Sequence, residues 1–391
     1  MCSWFLKTDM RGCSQPRERK LNIAKMGNKI AVVGQWLLIA IVVILKLRAD
    51  ATYFLTPDSY HYLHAAQSLV DGKGYHIFFG GRDTFCAIWP VGYSASIAAM
   101  AWLTGFSVEI SSKIINVLAL AGCFGLIYSR FRERAWFISL AFFASSLVQV
   151  YANTWSETLF LFFVIGFAAQ KTEAMPTKVG GSFWAIGAFL SRYAAVFLAF
   201  VLLIQRRWRA ALYYLLFVAG YLFFNFSQTK TFTGGHGFWP DKPWLSRVGQ
   251  GIRGLGEELL FFAVRDWGLK NTALDDSVKW LIYGVALGQL IVAGLIMREF
   301  WRWAKGHGID AYGMTKSSFF RVGMGYLLFT IAVYLTDASI ESLYFRRLAP
   351  ASLLFTIGVL EWVSLQKVLF ERTKWYFVLF FALSIIHSIP K

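Results

Sequence analysis

Long apolar runs, separated by short polar and basic segments, recur along the whole 391-residue chain. The first run, IAVVGQWLLIAIVVILKL at 30–47, is long enough to cross a bilayer as a helix. A membrane β-barrel would instead show short segments of alternating polarity, and the sequence has none of these. The pattern therefore predicts an all-α, polytopic membrane protein.

The alternation of apolar and polar stretches predicts about eleven membrane segments. We place them at 30–47, 113–128, 136–151, 156–170, as a pair within 180–205, and at 210–226, 278–297, 318–335, 348–362 and 375–389. The pair within 180–205 is predicted to be a re-entrant hairpin whose two helices meet near Arg192. Both flanks of that stretch are basic, and an arginine inside the bilayer needs a polar cavity.

Residues 48–112 and 227–277 are predicted to be large segments on the outer face. Within the first, the apolar stretch 89–105 is short, and if it crossed the membrane the basic loop 129–135 would lie outside. We therefore expect juxtamembrane helices in the first outer loop, with 89–105 in the interface. The second contains a helix-like stretch, GLGEELLFFAVRDWG.

No internal repeat, low-complexity linker or separate soluble domain is visible, so we expect one membrane domain over 1–391. A formal net charge of +17 is also typical of nucleic-acid-binding proteins. Here the positive residues concentrate in the tail 1–29 and in loops placed in the cytoplasm. This is the positive-inside pattern, which predicts a cytoplasmic N-terminus and contact with membrane lipids, and no nucleic-acid partner.

Several acids and histidines follow the first apolar run, in TPDSYHYLHAAQSLVDGKGY at 56–75. Asp58 suits a general base that accepts a proton from an acceptor hydroxyl at the membrane surface. The run Thr-Pro-Asp-Ser is also good helix-capping chemistry, so a purely structural Asp58 is the alternative. His61 and His64 are three residues apart, but an HxxH pair without a third ligand is a weak metal signal.

Three further sites place charge at or inside the predicted membrane boundary. Glu157 begins a predicted span, where it needs a partner, a wet cavity or the positive end of a helix. Arg192 needs an anion. Arg346 and Arg347 would either clamp a phosphate or extend toward lipid headgroups. Walker, dinucleotide-binding, HExxH and GxSxG motifs are absent from the sequence, so ATP-driven transport, zinc proteolysis and serine hydrolysis lack their signatures.

Five stretches, in chain order, read PDSYHYLHAAQSLVDGKGY, IWPVGYSASIAAMAWLTG, WSETLFLFF, SFWAIGAFLSRYAAVFLAF and YFRRLAP. Together they resemble the integral-membrane glycosyltransferases of the GT-C superfamily, especially the branch of protein O-mannosyltransferases and the lipid A aminoarabinose transferase. The chain departs from the O-mannosyltransferases at Asp58-Ser59, where they carry an Asp-Glu pair, and at Ser94, which replaces the second proline of their P-x-Y-P motif.

The resemblance implies inverting transfer of a monosaccharide from a polyprenyl-phosphate-linked donor to a glycan, glycolipid or lipid acceptor on the extracytoplasmic face. Asp58 would be the general base. Substrate contacts are implied for Tyr60, His61, Glu157, Arg192, Tyr193, Arg346 and Arg347. A divalent metal ion, if one is used, would be held by Asp58 and Glu157, and no other cofactor is expected.

Two other function classes stay open. A transporter or flippase for a lipid-linked or anionic solute would place Arg192 on the translocation path, and broken helices in both halves of the chain would favour it. A polysaccharide polymerase or ligase would carry its large arginine-bearing outer loop late in the chain. For a transferase, we expect Asp58, Glu157, Arg192 and either Arg346 or Arg347 to converge on one outward-facing cavity.

Overall fold

Helices make up most of the regular structure in a computed structural model of the protein, which describes residues 15–50, 52, 54–170, 180–234, 243–259, 276–307, 311–336, 343 and 345–389. In chain order they are α1 Gln15–Ala49, α2 Pro57–Val70, α3 Val91–Thr104, α4 Val108–Phe131, α5 Ala135–Ile138, α6 Ser145–Ala152, α7 Glu157–Ala169, α8 Gly180–Ser191, α9 Phe197–Ile204, α10 Trp208–Thr229, α11 Trp244–Leu259, α12 Asp276–His307, α13 Ala311–Thr315, α14 Ser318–Thr336, α15 Phe345–Leu365 and α16 Lys367–Ser388. Short 3₁₀ segments lie at Arg132–Arg134, Ser139–Phe143 and Tyr193–Val196. The predicted all-α class is confirmed.

Within the described ranges, six helical stretches are long and apolar enough to cross a membrane. They are Met26–Ala49, Val108–Phe143, Trp208–Thr229, Trp280–His307, Ser318–Thr336 and Arg346–Leu365. The shorter helices α6 and α7 pass the same test as a pair and bend by 119° where they meet. The chain is therefore a multi-pass helical membrane protein.

The chain reverses direction at the 3₁₀ turn Arg132–Arg134. Side chains of α4 contact the following segment in antiparallel order: Lys113 donates to the Ala152 carbonyl at 2.9 Å, and the rings of Phe124 and Phe142 lie 4.7 Å apart. The stretch Val108–Phe143 is consequently folded back on itself, and the basic loop predicted at 129–135 forms its corner.

Residues 180–205 form two helices with a break between them. Helix α8 ends at Ser191, Arg192 has an extended backbone with φ −154°, and α9 begins after one 3₁₀ turn. The far ends of the two helices lie together, since a Cβ added to Gly181 would meet the Arg207 guanidinium at 3.2 Å. The break thus falls at the arginine where the sequence predicts it.

The segment 48–112, predicted to lie on the outer face, holds a β-hairpin that was not predicted. Strands β1 His76–Phe79 and β2 Arg82–Phe85 pair antiparallel around Gly80 and Gly81, whose φ angles are 61° and 82°. A two-residue turn with positive φ at both positions suits glycine, because a Cβ is strained there. Helices α2 and α3 flank the hairpin, and neither is among the six long apolar stretches.

Several helix boundaries differ from the predicted ones. Helix α1 begins at Gln15, so it includes the second half of the basic tail predicted at 1–29. Helix α11 begins at Trp244, earlier than the helix-like stretch predicted from Gly254, and the part of that stretch beyond Leu259 lies outside the described residues. Glycine at position 254 lets α11 pack closely against the backbone at Leu343. A Cβ on Gly254 would lie only 1.8 Å from the Leu343 carbonyl oxygen.

Candidate functional site

Two acids and two arginines form a continuous ion-pair network. Arg346 donates to both Asp58 and Glu157, and Arg192 also donates to Glu157. Glu157 is fully buried and Arg346 nearly so. Burying a charge is costly unless it is paired, and here two guanidinium groups face two carboxylates. The structure therefore brings together four of the residues that the sequence singled out.

Each of the four residues lies at a helix end or break. Asp58 is in the first turn of α2, Arg346 is in the first turn of α15, and Arg192 occupies the break after α8. Glu157 is the first residue of α7, where the positive end of the helix dipole favours a carboxylate. Helix ends expose unpaired backbone groups and leave space for charged side chains, so they suit a polar site within an apolar bundle.

The capping role considered for Asp58 is filled by its neighbours. The backbone N–H of Thr56 donates to the Ser59 hydroxyl at 3.0 Å, and the two residues form a capping box at the start of α2. Ser59 in turn donates to the Thr154 carbonyl at 3.0 Å, and the Trp155 indole donates to the Thr56 hydroxyl at 2.8 Å. These hydrogen bonds hold α2 against the start of α7. The Asp58 carboxylate is not needed for capping and pairs with Arg346 instead.

Two aromatic residues that the sequence did not single out complete the surroundings of the network. The Arg346 guanidinium lies over the Trp155 ring, 4.4 Å from its centroid, in a cation–π contact. The Tyr62 hydroxyl lies 3.0 Å from the Ser156 hydroxyl, and burial raises the pKa of the Tyr62 phenol. The available signals were the position of Trp155 beside Glu157 and that of Tyr62 one helical turn after Asp58.

A cavity of about 300 Å³ adjoins the network at Arg192. Its volume is at the lower end of the range typical of small-molecule sites. Arg192 and Arg347 both line it, together with the aromatic residues Trp89, Tyr193, Tyr326, Phe329 and Tyr334. Arginine recognises phosphate and carboxylate groups, and aromatic faces pack against apolar or sugar rings. The cavity is thus suited to an anion attached to a larger, partly apolar group.

Tyr193 is held firmly in the cavity wall. Its hydroxyl donates to the Ala87 carbonyl at 2.8 Å and accepts from the Asn225 amide at 2.8 Å. The tyrosine therefore joins the loop before α3, the break after α8 and the C-terminal part of α10. A ligand in the cavity would contact a wall whose geometry is fixed by three separate parts of the chain.

The structure does not bring every predicted residue to the network. Tyr60 lies on the outer face of α2 and is 62% exposed. The His61 ring packs near the hairpin residue Phe79, with 6.1 Å between ring centroids, and His64 is exposed on α2. Asp58, Glu157 and Arg346 lie within the network and are not among the residues that line the cavity. Of the residues expected to converge on one cavity, only Arg192 and Arg347 line it.

The residues proposed to hold a divalent metal ion do not fit one. Arg346 bridges Asp58 and Glu157, so a guanidinium occupies the position between the two carboxylates, and Arg192 adds a second positive charge at Glu157. In the part of the chain that the structure describes, no group of three or more His, Cys, Asp or Glu side chains is arranged to hold a metal ion.

Another buried acid, Glu258 on α11, was not predicted. It accepts hydrogen bonds from Ser146 on α6 at 3.0 Å and from Ser352 on α15. Its signal in the sequence is an acid pair, Glu257 and Glu258, next to an apolar run. Glu258 thus links α11 to α6 and to α15, the helix that carries Arg346.

No protein family, curated protein or solved structure matches the chain. The fold and the site define a class, a multi-pass helical membrane protein with a buried charge network beside an arginine-lined cavity.

Proposed function

We propose that the protein is an inverting glycosyltransferase that moves a monosaccharide from a polyprenyl-phosphate-linked donor to a glycan or lipid acceptor. The reaction takes place at the extracytoplasmic face, in a bundle of about eleven membrane segments in which α8 and α9 form a re-entrant pair. The observation that carries the proposal is the position of the acid Asp58, joined through Arg346 and Glu157 to Arg192 in the wall of the cavity.

Asp58 is the general base of the proposed reaction. Its side chain is 32% exposed although it is paired with Arg346, so part of the carboxylate is accessible to an acceptor. The acceptor hydroxyl gives its proton to Asp58 while its oxygen forms a bond to the anomeric carbon of the sugar. In the same step the bond from that carbon to the phosphate oxygen breaks.

Arg192 and Arg347 stabilise the phosphate that leaves. The leaving polyprenyl phosphate gains negative charge as the bond to the sugar breaks, and preorganised guanidinium groups lower the energy of that charge. The aromatic walls at Trp89 and Tyr193 support the sugar and the first part of the prenyl chain. The site lies at the membrane surface because the donor has a polar sugar-phosphate head and an apolar prenyl tail.

The proposal is tested by transfer from radiolabelled polyprenyl-phosphate sugars in membranes that contain the protein. We expect Asp58→Asn to lower the rate at least a hundredfold, as is typical for loss of a general base. Asp83→Asn, which removes an exposed acid from the hairpin, is the matched control and keeps the wild-type rate. Full activity in a folded Asp58→Asn variant would overturn the assignment of the base.

A transporter or flippase is the second candidate, favoured by one observation. The helix pairs α6–α7 and α8–α9 are both broken, and the two breaks meet at Glu157 and Arg192. Transporters build their sites from such discontinuous helices. Both breaks lie in the first half of the chain, however, and broken helices in both halves would favour this candidate more strongly. This candidate is tested in vesicles that contain the protein. Translocation of the labelled lipid across the bilayer, with the sugar–phosphate bond intact, would favour a transporter over a transferase.

A further inference from the structure

A second cavity, of about 640 Å³, lies at the opposite end of α4 from the ion-pair network. Its lining includes Asn28, Tyr128, Arg130, Arg132, Glu133 and Arg134. Ser112, near the start of α4, lies 2.9 Å from the Thr154 hydroxyl beside the network. At the rise of an α-helix, Arg130 is roughly 27 Å further along α4. This cavity is therefore separate from the proposed active site.

Each arginine of this cavity makes one side-chain contact. The Arg130 guanidinium lies 6.0 Å from the Phe131 ring centroid, and that of Arg132 lies 5.8 Å from the Tyr128 ring centroid. Arg134 donates to the Ser364 hydroxyl at 3.4 Å. Three guanidinium groups and one carboxylate, that of Glu133, give the lining a net positive charge.

Two observations distinguish this cavity from a fully solvated basic turn, although Arg132 and Glu133 are exposed. The Arg130 Nε is buried and has no hydrogen-bond partner among the described residues. The Arg132 backbone has φ 50° and ψ −109°, a conformation that residues other than glycine rarely adopt. Strained backbone and unsatisfied buried hydrogen-bond donors are concentrated at ligand-binding and other functional sites.

We propose that this cavity binds the phosphate headgroup of an anionic phospholipid. Guanidinium groups match phosphate oxygens in charge and geometry. The lining residue Asn28 lies close to Met26, where the first apolar stretch begins, so the cavity is level with the lipid headgroups. The exposed apolar side chains Ile30, Val33 and Leu37 continue along one face of α1, where acyl chains can lie.

The positive-inside pattern does not by itself account for this cavity, because other basic residues at the same end of the bundle lie outside it. Arg209 and Arg372 are exposed at the starts of α10 and α16, and neither is among the residues that line it. Both lie at the same end of the bundle as the cavity. Arg207, two positions before Arg209, donates to Gln170 at the end of α7 that is far from Glu157. Lys46, at the end of α1 that is far from Asn28, donates to the Ser388 carbonyl, which places Arg372 at the opposite end of α16. Arg209 and Arg372 provide matched controls that remove the same charge elsewhere on this surface.

The test is lipid retention by the full-length protein, measured by native mass spectrometry after exposure to mixed micelles of phosphatidylglycerol and phosphatidylcholine. We expect wild type and the Arg209→Gln/Arg372→Gln variant to retain phosphatidylglycerol. The Arg130→Gln/Arg132→Gln variant should retain at least roughly tenfold less of this lipid. Arg130→Lys/Arg132→Lys keeps the charge without the planar guanidinium, and intermediate retention is expected. This variant carries the test if the glutamine variant does not fold.

Three results would overturn the proposal. They are equal retention by the cavity variants and the control variant, equal retention of the neutral and anionic lipids, and displacement of the lipid by inorganic phosphate at equal concentration. The last result would identify a site for free phosphate, since a bound lipid gains additional affinity from its acyl chains. None of these measurements depends on transferase activity, so the proposed function and the lipid site can fail separately.

Discussion

Arg346 donates from Nε to the Glu157 carboxylate and thereby joins α15 to α7 across 189 positions of the chain. The acid is fully buried, so its contacts are with Arg346 and Arg192 and not with solvent. We infer that Glu157 is a positioning residue: it holds one arginine next to Asp58 and the other in the cavity wall. A residue in this role affects both stability and the geometry of the site.

Replacing Glu157 by glutamine should destabilise the protein. The substitution keeps the shape of the side chain but leaves two largely buried guanidinium groups with only one carboxylate, that of Asp58. Removing one partner of a buried ion pair typically costs about 3 kcal/mol or more. Thermal unfolding in detergent should show a clearly lower Tm for Glu157→Gln. Glu109→Gln, an exposed acid in the first turn of α4, is the control and should unfold like wild type.

Glycine is required where α3 approaches α8. A Cβ on Gly92 would lie 2.5 Å from the Leu190 carbonyl oxygen, a backbone atom that cannot rotate away. Gly92→Ala should therefore destabilise the protein by about 1–3 kcal/mol and displace the cavity wall beside Pro90. Gly220→Ala should be neutral or slightly stabilising, because nothing lies within 4 Å of the new Cβ and alanine favours helix. Similar Tm values for the two variants would contradict this packing.

Arg347 should act on the donor and not on the fold. If it binds the donor phosphate, Arg347→Gln raises the KM for the polyprenyl-phosphate sugar roughly tenfold, the loss expected for one charge-assisted hydrogen bond. Arg347→Lys should restore part of the affinity. Arg321→Gln removes an exposed arginine from α14, and its KM should match wild type. An unchanged KM in Arg347→Gln would remove this arginine from the donor site.

The two ends of α4 should lie on opposite sides of the membrane. Single cysteines at the exposed positions Asp83, in the hairpin, and Glu133, in the basic turn, test this with a membrane-impermeant maleimide. Cys86 and Cys123 are buried and should not react, and serines replace Cys2 and Cys13. We expect the Asp83→Cys variant to be labelled in intact cells and the Glu133→Cys variant only after permeabilisation. Labelling of both in intact cells would contradict the topology.

The convergence of the charged residues was predictable from the sequence because ionised groups inside an apolar bundle need partners. Asp58, Glu157, Arg192 and Arg346 are distant in the chain, yet each lies at the edge or inside of an apolar run. The exact pairing was not predictable. Which acid meets which arginine depends on the 119° bend between α6 and α7 and on the extended backbone at Arg192.

The β-hairpin shows the opposite case, a local signal that was present but not used. The dipeptide Gly80-Gly81 between two short β-forming runs is a strong hairpin signal. The surrounding apolar sequence favoured helices, and the hairpin is only stable because it packs on α2 and, through Phe85 and Phe224, on α10. Trp155 and Glu258 each have a local signal in the sequence, but the partners that they contact are tertiary and could not be predicted from it.

The dependence of both acids on Arg346 has a consequence for biosynthesis. Asp58 and Glu157 leave the ribosome long before their shared arginine, which is 189 positions further along the chain than Glu157. At ordinary rates of translation this separation corresponds to about 10–40 s. During that interval, α2 and α7 are at the membrane before Arg346, which pairs with both of their acids, has been synthesised. Maturation of the site is therefore coupled to insertion of α15, and a chain interrupted before that helix would leave two carboxylates competing for Arg192 alone.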